Sequence, residues 1–342
     1  MSGTHARRAR PTLADVAARA EVSVTTASFV LNDRQDMRIS PTTRDRVRQA
    51  ARILGYTRRK RVGAPPDQMP VIGFVSDTVA TDHYAGDLLV GAMAAASAGG
   101  HAVVIAESGE GEQSEAAVVR ELLQRGVESF IYSAMFTRRV RVPEALIGRP
   151  TVLLNCLDPH SGLTAVVPDE REAGRVSAST LVDAGHRVIW TVGADLAGVY
   201  AADMRHRAIR AVLRERGLDV AGEVDCPWWP PDAREAVVSA LSRLPRESWP
   251  TAIIALNDRT AMGVYQAAAE LRLSIPGDLS VVSFDDSEMA WWLNPGLTSL
   301  ALPHRAMGFR AVELLLRPSR RGGVELASMP LHERDSVASP GR

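Results

Sequence analysis

TLADVAARAEVSVTTASFVLN, residues 12–32, and ISPTTRDRVRQAARILGY, residues 39–56, form the stretch on which the fold of this chain turns. Thr12 has the side chain of a helix N-cap, and Asp15 three residues later places a carboxylate where free backbone amides need one. Leu13, Val16, Ala17 and Ala20 then recur at helical spacing. Glu21-Val22 makes a tight turn, and Ser23 caps a second helix whose apolar positions are Val24, Ala27, Val30 and Leu31. After a polar loop at 32–38, Ser40-Pro41 opens a third helix, with Ser as cap and Pro at the first helical position. Val47, Ala50, Ala51 and Leu54 line its inner face, and Gly55 ends it. The spacing predicts three short helices around a small core, the first two joined by a turn.

The charge of this stretch differs from that of the rest. The whole chain of 342 residues is neutral, with 40 Lys+Arg and 40 Asp+Glu. Residues 1–61 hold 14 of the basic residues against 5 acidic ones, a net +9, and the remainder carries −9. A basic head on an acidic body points to a polyanionic partner for the head.

Beyond the head, residues 62–70 read as a linker, in which Gly63 and Pro65-Pro66 oppose a continuous helix. From residue 71 the texture changes. Apolar runs at 71–75, 102–106, 129–132, 151–155, 164–167, 188–192, 252–255 and 279–284 alternate with helical segments near 84–98, 113–125, 170–184, 202–216, 232–244, 258–272 and 304–316. Short apolar strands alternating with longer helices predict parallel, doubly wound sheets, and their number predicts two of them.

Residues 12–56 resemble, over their whole length, the DNA-binding headpiece of the lac repressor/Gal repressor family of transcriptional regulators. The resemblance implies an all-α helix-turn-helix domain at 1–61 whose second helix enters the major groove of double-stranded operator DNA. Val24 and Thr25 occupy the base-reading positions, while Thr26 and Ser28 are short hydroxyl donors for phosphates. The implied contact set also includes Thr12, Ser23, Phe29, Asn32 and Arg38, with Arg58, Arg59 and Arg61 of the linker. Three departures stand out: Glu21 replaces a turn glycine, Phe29 replaces a residue that is often Arg, and the 33–38 loop is longer. Phe29 either touches a thymine methyl or packs inward. Family members also carry an A-R-x-L hinge helix that wedges leucines into the minor groove. No Leu lies between Gly55 and Val71 here, so the comparison implies a rudimentary or missing hinge helix and less operator bending.

The body, from VIGFVSD at 71–77 through GH at 185–186, NDRTAMG at 257–263, IPGDLSVVSFDD at 275–286, LTSL at 297–300 and Arg334-Asp335-Ser336, resembles the family's two-lobed, periplasmic-binding-protein-like sensor. The expected domain runs over 71–337, with a first lobe at 71–164 and 300–325 and a second at 165–299 and 326–337. The resemblance places a small-molecule effector, sugar-like in preference to a purine or nucleoside, between the lobes at the carboxyl ends of the strands. It assigns Arg205, Asn257 and Asp285 to polar groups of that effector, and Tyr84, Trp229 and the neighbouring His83 to its walls. Other roles remain open at this level: Asn257 and Asp258 also suit a helix cap, and Trp228-Trp229 between prolines also suits surface packing. Asp286 reads as a structural partner and His186 as a turn or core residue.

No catalytic or metal-binding motif appears: there is no Walker loop, dinucleotide glycine fingerprint, HExxH or nucleophile elbow. No cofactor is expected. Cys156 and Cys226 stand in neither metal nor redox spacing, and no secretion signal or membrane span is visible, which together predict a cytoplasmic protein. A single helix-turn-helix per chain predicts a homodimer on a palindromic operator, with repression as the family default. The alternative reading of the same sensor fold is a solute-binding protein of a transport system.

Overall fold

The computed structural model describes residues 12–31, 39–54, 69–79, 85–109, 111–193, 199–317 and 322–341. The chain divides into two units, Met1–Gln68 and Met69–Arg342. The hinge question at 58–66 lies outside the described residues.

In the first unit, helices α1 (Leu13–Arg19), α2 (Val24–Leu31) and α3 (Pro41–Leu54) follow the expected order. Thr12 and Asp15 form a reciprocal capping box: Asp15 N donates to Thr12 Oγ1 at 3.3 Å, and Thr12 N donates to Asp15 Oδ2 at 2.7 Å. The Thr12 backbone N–H, and then its hydroxyl, hold the Asp15 carboxyl below its ordinary pKa. Ser23 and Ser40 repeat one device, accepting from Thr26 N at 3.0 Å and Thr43 N at 3.2 Å. Glu21 takes the left-handed conformation, φ 51°, while Val22 N reaches back to Ala17 O at 3.1 Å and Glu21 N to Ala18 O at 3.2 Å. That is a Schellman closure with glutamate in the position glycine favours. Val16, Ala17, Ala20, Ala27, Val30, Val47, Ala50 and Ala51 form the core. Small side chains predominate in it, so the helix axes can approach closely. Val24, an apolar position of α2 in the sequence, is instead 50% exposed.

The second unit contains two six-stranded sheets. The first has order β11-β5-β4-β3-β1-β2, from β1 (Val71–Ser76), β2 (Ala102–Glu107), β3 (Ser129–Arg139), β4 (Thr151–Leu157), β5 (Thr164–Pro168) and β11 (Gly323–Ala327). The second has order β12-β10-β9-β8-β6-β7, from β6 (Ile189–Val192), β7 (Gly222–Val224), β8 (Ala252–Ala255), β9 (Ser280–Asp285), β10 (Thr298–Ala301) and β12 (Leu331–His332). Among the described residues every pairing is parallel except that of β12 with β10. Helices cover both faces of each sheet, as buried parallel strands require. On the first sheet, α4 (Ala85–Ala98) and α11 (His304–Leu316) pack on one face and α5 (Glu112–Gln124) on the other. On the second, α6 (Glu170–Asp183) and α7 (Tyr200–Glu215) oppose α8 (Pro230–Ser242) and α9 (Asp258–Glu270), and the short α10 (Glu288–Trp292) follows β9.

The lobe boundaries differ from those expected. Strand β5 pairs with β4 and β11 and so belongs to the first lobe, β10 belongs to the second, and β11 keeps Leu326 and Ala327 in the first. An apolar run announces a buried strand but carries no mark of which sheet it joins. The chain crosses between lobes three times, at 169, 302–303 and 328–330. The third crossing is stitched to the other two, where Asp169 N donates to Ala327 O at 2.8 Å and Ala301 N donates to Pro330 O at 2.8 Å. His186 is a core residue, its ring nitrogens 2.9 Å from Thr251 Oγ1 and 2.9 Å from Ala338 O.

Candidate functional site

On the first unit, the start of α2 presents the groups that a helix-turn-helix would use. Val24 projects half-exposed from the first helical position, and Thr26 is partly exposed with its hydroxyl 2.8 Å from that of Ser23. The amides at this helix end carry a partial positive charge suited to phosphate oxygens.

In the second unit, a narrow cavity of about 40 Å³ opens where strands of both lobes end. The first lobe contributes Met135, Phe136 and Thr137 from β3 and Asn155 from β4. Asn155 sits at φ 57°, accepts from Thr137 Oγ1 at 2.7 Å, and donates to the carbonyls of Ala134 and Met135 at 3.0 and 2.9 Å. Its side chain thereby holds the irregular end of β3 in place. The second lobe contributes Glu170, Arg205, Trp228, Asn257, Arg259 and Asp285, one crossing adds Leu302, and His304 comes from the start of α11.

The polar residues are fixed before any ligand arrives. Asn257 Oδ1 caps α9 by accepting from Thr260 N at 2.8 Å, and Asn257 also lines the cavity. Asp258, next in sequence, is buried and accepts from Ser287 N at 2.7 Å, Ser287 Oγ at 2.8 Å and Ser299 Oγ at 2.8 Å. Burial raises its pKa, against the pull of those hydroxyl and amide donors. These bonds secure the loop that carries Asp285 and Asp286, both left-handed at φ 104° and 51°. Consecutive non-glycine residues in that region are strained, and strain of this kind gathers at ligand clamps. Asp286 turns away from the cavity and accepts from Arg334 NH2 at 2.6 Å, with His332 on its other oxygen. Burial opposes the charge of Arg205, but the carboxylates of Glu170, Asp285 and Asp258 outweigh burial and raise its pKa. His304 is pushed down to about 4 by burial and by Arg205, so its ring is neutral at pH 7. Such a lining can hold hydroxyl groups by fixed donors and acceptors and lay an apolar ring face against Trp228 or Phe136.

Residues 12–59 match the family described as bacterial regulatory proteins, lacI family, and residues 178–337 match the periplasmic binding protein-like domain. The chain is 32% identical to an uncharacterized HTH-type transcriptional regulator in the aml 5' region of Streptomyces limosus, covering 96% of this chain and 92% of that one. It is 30% identical to the sucrose operon repressor of Shigella flexneri, covering 95% and 99%. The chain belongs to the lacI family of bacterial regulatory proteins. A solved structure of the Lac repressor bound to ONPG in the repressed state superposes with a TM-score of 0.70, at 25% identity over 96% of this chain and all of that one.

Membership in the lacI family makes this protein a DNA-binding transcriptional regulator with a ligand-sensing domain, and sets aside the transport reading, in which residues 12–59 would have no place. Of the effector residues expected from sequence, Arg205, Asn257 and Asp285 meet at the cavity. Trp229 does not line it: the residue is 56% exposed and its ring lies beneath the Arg259 guanidinium at 4.7 Å. Trp228 takes the wall position, its Nε1 donating to Gly193 O at 2.7 Å. Tyr84 and His83 lie outside the described residues, as do Asn32, Arg38, Arg58, Arg59 and Arg61. Thr25, Ser28 and Phe29 fall on α2, with their side chains outside the described residues. Sequence reasoning did not find Asn155, Glu170 or His304. Asn155 ends an apolar run and was open to discovery on that ground, whereas nothing local marks Glu170. Among the described residues no helix is long and apolar enough to cross a membrane.

Proposed function

We propose that this lacI-family chain is a cytoplasmic repressor that acts by binding alone, as a homodimer with one headpiece per operator half-site, and that a sugar in the cleft between its lobes controls its hold on DNA. The observation that carries the effector reading is the convergence of Asn155, Arg205, Trp228, Asn257 and Asp285 on one cavity at the carboxyl ends of strands from both sheets. Pre-bonded polar groups beside an aromatic wall suit a polyhydroxylated ring, and the relative that governs a sucrose operon points the same way. On DNA, Val24 and Thr25 read base edges, with Phe29 against a thymine methyl. Thr12, Ser23, Thr26, Ser28, Asn32 and Arg38 serve phosphates and groove edges, joined by Arg58, Arg59 and Arg61. The dimer follows from half-site arithmetic, since one helix-turn-helix spans too few base pairs to be specific alone.

A thermal-shift screen against sugars, polyols, purines and nucleosides tests the effector reading, because a cleft ligand stabilises the folded state by mass action. A sugar that raises the melting temperature and also changes the electrophoretic shift of operator DNA supports it. A purine or nucleoside as the stabilising class overturns it.

A further inference from the structure

Arg205 lines the cleft, yet its guanidinium is already bound to the protein. Nε donates to Glu170 Oε2 at 2.6 Å and NH2 to Glu170 Oε1 at 3.2 Å, closing the fork on one carboxylate. NH1 donates to Leu256 O at 2.6 Å and stands 3.9 Å from Asp285 Oδ1. One face of the plane lies over the Phe284 ring at 4.4 Å. The side chains of Arg205 and Glu170 are each only 2% exposed, so water screens the pair little.

An arginine in a pocket ordinarily grips phosphate or carboxylate through that fork. Here the grip is taken by Glu170. His304 supplies no second cation, because its ring is neutral at pH 7. Arg259 stacks over the ring of Trp229, a residue that is mostly exposed. Among the described residues of the lining, Arg205 and Arg259 are balanced by Glu170 and Asp285, and the buried Asp258 adds its field to the negative side of Arg205. A phosphoryl group would bring a charge of about −1.5 to −2 into that neutral, poorly screened site. Its approach to Arg205 would be opposed by the two carboxylates already there. A neutral hydroxyl meets no such opposition and can donate to the same carboxylates.

We propose that Glu170, with Asp285, selects uncharged effectors: the cleft accepts a neutral sugar or polyol and refuses sugar phosphates and sugar acids. Glu170 is then a specificity-determining residue that acts by neutralising Arg205. The inference rests on the reading of this cleft as the effector site.

The test uses the full-length protein and matched pairs: glucose, fructose and mannose beside their 6-phosphates, and glucose beside glucuronate. Thermal shift finds the binders, and calorimetry measures affinity. The expected result is stabilisation by a neutral member whose charged counterpart binds at least about tenfold more weakly. A charged member that binds as tightly as its neutral counterpart, or more tightly, overturns the inference and leaves the effector site standing. Binding by neither class overturns the effector reading, and the inference with it. Glu170→Gln keeps the shape and removes one negative charge, so the neutral-over-charged preference should shrink at least about fivefold. Asp285→Asn should shrink it in the same direction and serves if Glu170→Gln does not fold. An unchanged preference in the folded variants overturns the role given to these carboxylates.

Discussion

Gly91 on α4 and Gly308 on α11 lie reciprocally against each other's helix backbones: a methyl on Gly91 would stand 1.9 Å from Arg305 O, and one on Gly308 2.0 Å from Leu88 O. Neither obstacle is a side chain that could swing aside, so the helices themselves would have to separate and open the core built on Leu88, Met307 and Ala311. Gly91→Ala and Gly308→Ala should each destabilise the sensor by about 3 kcal/mol, at the upper end of overpacking costs. Gly86, in the first turn of α4, has nothing within 4 Å of an added methyl, and Gly86→Ala should stabilise by about 0.5–1 kcal/mol. Urea denaturation of the three variants checks both signs.

In the headpiece, Glu21 should be replaceable with profit to stability. Its φ of 51° costs an L-residue about 1 kcal/mol that glycine does not incur, partly offset by the greater freedom of glycine in the unfolded chain. Glu21→Gly should therefore raise the protection of α1–α3 amides against hydrogen exchange by several-fold, whereas Glu21→Val should lower it.

Acid should weaken the sensor in a window set by His304. The folded-state pKa, about 4, lies below the model-peptide value of 6.5. Between those values the unfolded chain binds the proton and the folded chain does not. The stabilising contribution is thus complete above pH 6.5 and is lost as pH falls towards 4, by ~3 kcal/mol in total. Burial shifts His186 and His206 in the same direction, adding to the slope. Melting temperatures taken from pH 7 to 4 should fall more steeply for the wild type than for His304→Asn. Equal slopes would show that His304 is not buried neutral.

The two adjacent tryptophans should separate cleanly in binding. Trp228→Ala removes a cavity wall anchored on Gly193 O and should weaken the stabilising sugar at least about tenfold, the loss of one well-packed aromatic contact. Trp229→Ala removes a ring outside the cavity and should leave affinity within about twofold. Calorimetry with a neutral sugar found by the thermal-shift screen measures both, and the reverse order would mean the walls have been exchanged.

Operator affinity should fall steeply with salt, because a head of net +9 must displace counterions from several phosphates. Removing residues 1–61 should abolish the shift of operator DNA and leave sugar-induced stabilisation of the remainder intact. A truncated protein that still shifted operator would place DNA binding elsewhere.

Local signals carried much of this architecture. The caps at Thr12, Ser23 and Ser40, and the helical spacing of Val16, Ala20, Val47 and Ala51, are interactions within three or four residues, so the sequence states them directly. The central parallel strands were legible for a similar reason, since burial on both faces demands an unbroken apolar run. Strand β11 was not, because it lies at the edge of its sheet with Val324 and Leu326 each 56% exposed, and its pattern does not repeat that of a buried strand.

The site was only half legible. The family resemblance singled out Arg205, Asn257 and Asp285; Asn257 caps α9 and Asp285 ends β9, whereas Arg205 lies in the second turn of α7. It could not tell Trp228 from Trp229, since that choice depends on which indole reaches the Gly193 carbonyl 35 residues away. Nor could it show that Glu170 closes the fork of Arg205. Glu170 opens α6 and Arg205 lies in the second turn of α7, and only the packing of these helices brings the carboxylate to 2.6 Å from the guanidinium. Pairing across such separations has no period along the chain, and burial then gives the pair an electrostatic weight that neither residue carries in an unfolded chain.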